Sequence, residues 1–126
     1  MWKYDETQEF VKSSESIGLS LKVRDSVKSW AETVVRVQTN KTTCLYRTPR
    51  NKFELWVARI PDPDSNKGSS GGFRLFYFFN IPECLVFVDL IESRSEMGFK
   101  KEHPRDKQRM TAYVNSMKKY LESQDC

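Results

Sequence analysis

Three runs in the middle of the chain, over 53–60, 73–79 and 84–91, constrain the fold more than anything else in it. Each is short, rich in Phe, Val, Leu, Ile and Trp, and bounded by turn residues, which is the pattern of an antiparallel meander. None alternates cleanly between apolar and polar. On a strand, Leu55 and Val57 would point to one side while Trp56 and Ala58 point to the other. Both faces of the sheet must then be at least partly covered, and a single helical layer cannot cover two faces.

Candidate covers lie on either side in the sequence. Over 20–38, Leu21, Val23, Val27, Trp30, Val34 and Val37 recur at helical spacing with charges between them. A short first strand over 2–4 and a brief helix over 7–14, with Phe10 and Val11 as its apolar face, precede this segment. Joined through 15–18, the two helices predict a hairpin with one apolar face to bury. The segment 43–52 is polar and contains Pro49, so it reads as a connection with a short extended piece at 44–46. At the other end, His103-Pro104 marks a helix start, and Met110, Tyr113, Val114, Met117 and Leu121 form a stripe along a helix over about 104–122. The expected fold is α+β: an N-terminal helical hairpin packed on a small antiparallel β-sheet, with an added C-terminal helix. At 126 residues and 38% hydrophobic content the chain suits one domain over 1–126. Cys126 and its neighbours are expected to fray.

The formal net charge of +4 is unevenly placed. Residues 92–120 hold eight Lys/Arg against four Asp/Glu, and the remainder is balanced. A basic balance concentrated in one segment suits a polyanionic partner such as RNA, DNA or an acidic protein, and equally a solvated helix face. Cys44, Cys84 and Cys126 are odd in number and lack CxxC spacing, which argues against a disulfide framework or a zinc site. With no apolar run near the roughly 20 residues of a membrane span, the expected setting is a reducing cytoplasm, away from membranes.

The stretch Lys67-Gly68-Ser69-Ser70-Gly71-Gly72-Phe73-Arg74-Leu75-Phe76-Tyr77 joins a glycine–serine loop to a strand that carries an arginine. Glycine and serine leave the backbone unobstructed, so Lys67 and Arg74 can approach one anion from the two ends of the loop. It is not a nucleotide P-loop, because the lysine precedes the glycines and no helix follows.

The order of strand, helical pair and three-strand meander, with Arg59-Ile60 ending one strand and Gly72-Phe73-Arg74-Leu75-Phe76-Tyr77 opening the next, resembles the RelE/ParE superfamily of bacterial and archaeal toxins. Ser93-Arg94-Ser95-Glu96 matches the Lys/Arg-Ser-Glu turn that ends the next strand in those relatives. The resemblance covers roughly residues 2–99 and leaves the final helix as an extension. It implies a toxin of a toxin–antitoxin pair, of the branch that cuts messenger RNA, often on the ribosome, with a cognate antitoxin as partner. In metal-free RNA cleavage the substrate's 2′-hydroxyl attacks the adjacent phosphate, so the protein needs a proton acceptor, a proton donor and cations but no cofactor. His103 is the only histidine, which is unfavourable to a His-pair or two-metal nuclease.

Carried over residue by residue, the resemblance implies that Arg74 holds the scissile phosphate, with Lys67, Arg59 and Arg94 completing the cation set. Where relatives often have an aromatic residue, two positions before Arg94, this chain has Glu92, a candidate general base or simply an ion-pair partner. Tyr77 is a candidate acid, or a core tyrosine. Phe99, Lys100 and Lys101, together with Lys107 and Arg109 off the apolar stripe, are candidates for stacking on or neutralising RNA. Two other readings remain: a ParE-like gyrase poison without hydrolytic activity, and a non-toxic RNA- or protein-binding module on the same fold.

Overall fold

The computed structural model describes residues 2–34, 36–61, 72–93 and 104–125. Five strands, β1 (Lys3–Glu6), β2 (Thr42–Arg47), β3 (Phe53–Ile60), β4 (Phe73–Asn80) and β5 (Leu85–Ser93), form one sheet in the order β1-β5-β4-β3-β2. β2 to β5 run antiparallel in sequence. β1 lies parallel to β5, with Lys3 to Glu6 in register with Leu85 to Val88, so the sheet is mixed and not purely antiparallel. The segment 42–47, expected to be mostly connection, is a full edge strand. Its residues divide between the faces through an irregularity between Cys44 and Tyr46, which hides the alternation a strand normally displays.

Helices α1 (Gln8–Ser16) and α2 (Leu21–Thr33) lie on one face. Thr7 caps α1 by accepting from the Phe10 N–H at 3.1 Å, and Ser20 caps α2 by accepting from the Val23 N–H at 3.3 Å. Gly18, at φ +66°, takes the left-handed position after α1, where the Leu19 N–H reaches back to the Ser14 carbonyl at 2.9 Å. Phe10 from α1 and Val23, Val27 and Ala31 from α2 pack on Trp56, Ala58, Leu75, Tyr77, Phe79, Val86, Val88 and Ile91. α2 ends sooner than its periodicity predicts. Val34 adopts ψ 142° and turns inward while Val37 stays exposed, consistent with the stiffness of β-branched residues in a helix.

Helix α3 (Pro104–Gln124) covers the opposite face. Leu121 is fully buried against Phe53, Leu55 and Phe78, with Val114 and Met117 packed beside them. The tilted ring contact of Tyr113 with Phe76, centroids 4.7 Å apart, continues the seam towards the helix start. At the far end Asp125 does not fray. It accepts from the Thr48 hydroxyl at 2.5 Å and from the Arg50 and Lys52 N–H groups at 2.8 and 3.3 Å, which ties the end of α3 to the turn between β2 and β3. Among the described residues, no helix is long and apolar enough to cross a membrane.

Candidate functional site

Register brings three of the expected residues into one row. Arg59 on β3 pairs with Arg74 on β4, and Arg74 pairs with Glu92 on β5. Partners directly opposite in a sheet project from the same face. Here that face is α3's, because Arg74 shares its side of β4 with Phe76 and Phe78, which meet Tyr113 and Tyr120. Two guanidinium groups on neighbouring strands repel each other, and a carboxylate in the same row offsets that.

Glu92 uses both oxygens. Its Oε2 accepts from Arg74 Nη2 at 2.8 Å, and its Oε1 accepts from Arg109 Nη1, on α3, at 2.9 Å. The Glu92 side chain is only 10% exposed and that of Arg74 21%, whereas Arg109 is 57% exposed. The Arg74 guanidinium also lies 5.7 Å from the centroid of the Phe76 ring, within cation–π range. Glu92 thus holds one arginine of the sheet and one of the helix together.

The placement of Glu92 depends on an irregularity in β5. Leu75 pairs with Ile91 but Tyr77 pairs with Val88, so β5 carries an extra residue between these partners. Such a bulge re-aims the side chains that follow it, leaving Ile91 in the α1/α2 core and Glu92 on the α3 face. Asp89, at the bulge, is buried and accepts from the Thr7 hydroxyl at 2.6 Å and from the Tyr113 hydroxyl. Burial, with the Asp89 charge and hydrogen bond added, pushes the Tyr113 phenol well above its ordinary pKa. It therefore serves as a neutral donor, pinning α3 to β5 one turn after Arg109.

Tyr77 sits on the other face. It is fully buried among Trp30, Trp56 and Phe79, and its hydroxyl has no hydrogen-bond partner among the described residues. Burial pushes its phenol up. It is separated from Arg74 by the sheet itself and lies in the α1/α2 core, the second of the two alternatives its sequence position offered. Lys107 is exposed on α3 and takes no part in the Glu92 group. Lys67, Arg94, Phe99, Lys100 and Lys101 lie outside the described residues.

A second carboxylate went unnoticed in the sequence. Glu54, fully buried on the α1/α2 face, accepts from Arg36 Nε and Nη2 at 2.8 and 2.7 Å, from Arg47 Nε at 2.7 Å and from Trp56 Nε1 at 3.1 Å. Burial works to raise its pKa, but the Arg36, Trp56 and Arg47 interactions outweigh that and hold the carboxyl below its ordinary value. The available signal was a lone acid inside an apolar run, which requires buried partners.

No family model matches the chain, and no curated protein matches it. Among solved structures the chain is similar to the archaeal RelE–RelB complex from Pyrococcus horikoshii OT3, at 20% identity and a TM-score of 0.46. The match spans 74% of this chain and 94% of that one.

Proposed function

We propose that the chain is a RelE-like toxin of a toxin–antitoxin pair, an endoribonuclease that cleaves mRNA in the cytoplasm, on the ribosome, arresting translation and growth until a cognate antitoxin binds. The observation that carries this reading is the row Arg59–Arg74–Glu92 on one face of the sheet, with Arg109 reaching into it from α3. A phosphate needs cations converging from more than one direction, and a phosphorane intermediate needs them more. Arg74 is the phosphate ligand, since a guanidinium offers paired donors that match two phosphate oxygens. Arg59 and Arg109 flank it, and Lys67 and Arg94 complete the set as the resemblance implies.

In this reading the substrate phosphate takes over the donors that Glu92 now holds. Glu92, released from Arg74, accepts the proton of the 2′-hydroxyl as that oxygen bonds to phosphorus and the bond to the 5′-oxygen breaks. The departing 5′-oxygen takes a proton from solvent water and Glu92 returns its own to solvent, so the products are a 2′,3′-cyclic phosphate and a free 5′-hydroxyl. Expression of the protein without an antitoxin should arrest growth and leave cut mRNA, with Arg74→Ala relieving both. Growth arrest with intact mRNA and inhibited gyrase would instead place the chain with the ParE-like poisons, and growth without arrest would leave a binding module.

A further inference from the structure

Two cavities run together beside the Arg74–Glu92–Arg109 group, between α1, the second half of β5 and the first turns of α3. The larger encloses about 530 Å³ and the other about 410 Å³, and they share Glu9, Leu90, Glu92 and Arg109 as walls. The groove exists because of the sheet's own geometry. β1 accompanies β5 only as far as Val88, and beyond that point α1 lies along the β5 edge in place of a strand. A helix cannot follow a strand edge closely, and the Ile91 N–H donates to Ser13 Oγ at 3.2 Å across the junction. The bulge at Asp89–Leu90 leaves Leu90 half-buried on the groove wall.

The lining has the character of a nucleotide site. Leu90 and Ile17 provide apolar surface, Lys12 stands exposed on α1 across from Arg109 on α3, and Glu9 borders both cavities. Lys12 makes no ion pair among the described residues. The larger volume falls within the roughly 300–1,000 Å³ typical of small-molecule sites. An unstacked RNA base needs a flat apolar surface for its ring, an acceptor or donor for its edge, and cations for the phosphates on either side.

We propose that this groove is a nucleotide subsite next to the cleavage row, a reading that rests on the function proposed above. The base of the nucleotide adjoining the scissile phosphate lies against Leu90 and Ile17, Lys12 and Arg109 hold phosphates from opposite walls, and Glu9 accepts from an exocyclic amino group. A carboxylate recognises such an amine and rejects a carbonyl. Glu9 therefore sets a preference for cytosine, adenine or guanine over uracil at that position.

The test titrates short RNA oligonucleotides, made uncleavable by a 2′-deoxy sugar at the cleavage position, into isotope-labelled protein, following the backbone amides of Ile17 and Leu90. The subsite predicts shifts at both amides, a three- to tenfold weaker affinity for Lys12→Ala, and loss in Glu9→Gln of a preference of at least threefold for amino-bearing bases over uridine. RNA that binds the groove without being cut by the wild type would support the subsite and remove the nuclease reading. Unmoved Ile17 and Leu90 amides in the presence of bound RNA would overturn the subsite. So would a wild type that cuts RNA with a base preference unchanged in Glu9→Gln and Lys12→Ala. Glu9 and Lys12 both lie on the solvent side of α1, so folding of the variants is checked by their unchanged unfolding midpoints.

Discussion

Arg74 and Glu92 face each other across β4 and β5 and are joined at 2.8 Å, so the arginine proposed to bind phosphate already holds an anion. The carboxylate occupies the site in which the substrate's charge would lie. Anything that binds Arg74 must displace Glu92 or share Arg74 with it.

One consequence is an ordering of stabilities. Glu92→Ala takes a carboxylate away from Arg74, which is partly buried opposite Arg59, and should cost about 2 kcal/mol. Arg109→Ala removes a partner that is mostly in solvent and should cost less than about 1 kcal/mol. Urea unfolding of the two variants checks the ordering, and equal costs would show that Glu92 does not relieve repulsion in the row.

Tyr77→Phe removes a hydroxyl that is buried without a partner among the described residues. Its loss should be neutral or stabilising by up to about 1 kcal/mol, with RNA cleavage unchanged. A large fall in cleavage with stability intact would return Tyr77 to the chemistry.

The buried Glu54 cluster makes a pH prediction. Its carboxyl is held below the ordinary value of 4.5 by Arg36, Trp56 and Arg47, against the effect of burial. A depressed carboxyl contributes stability that is fully present above its unfolded pKa and is lost as pH falls through the folded one. Stability should therefore hold from neutrality down to about 4.5 and decline below it. Glu54→Gln should flatten that decline while lowering stability at pH 7 by about 3 kcal/mol, since it leaves two arginines short of their partner. An acid limb as steep in Glu54→Gln as in the wild type would locate the acid sensitivity elsewhere.

Asp125 anchors α3 through Thr48 and two backbone N–H groups. In Asp125→Ala, hydrogen exchange should quicken across the last turns of α3 and at the Arg50 and Lys52 amides, while the core strands keep their protection. Unchanged exchange at those amides would mean that the contact does not hold the helix.

The strands of the central meander were legible because their apolar runs are continuous and bounded by turns, and the need for cover on both faces followed from Trp56 and Leu55 being neighbours. The α3 stripe was legible for the same reason, since Tyr113, Val114, Met117 and Leu121 repeat at helical spacing. What local sequence does not carry is pairing. Nothing in 3–6 announces a parallel partner 82 residues later, and β2 conceals its alternation behind a bulge. The site divides in the same way. Arg59, Arg74 and Glu92 were nameable singly, but their shared row depends on register. The role of Arg109 and the face on which Tyr77 falls depend on a β5 bulge and on strand parity. Glu54 needed Arg36 and Arg47, which are distant in sequence and meet it only after folding.

The central claim is that Arg74 serves metal-independent cleavage of RNA, and the ends of the product test it most directly. Purified protein incubated with mRNA and translating ribosomes in the presence of a chelator should yield fragments bearing 2′,3′-cyclic phosphates and 5′-hydroxyls, and Arg74→Ala, folded as judged by its unfolding curve, should yield none. Intact RNA with the wild type, or the same fragments from Arg74→Ala, would contradict the account.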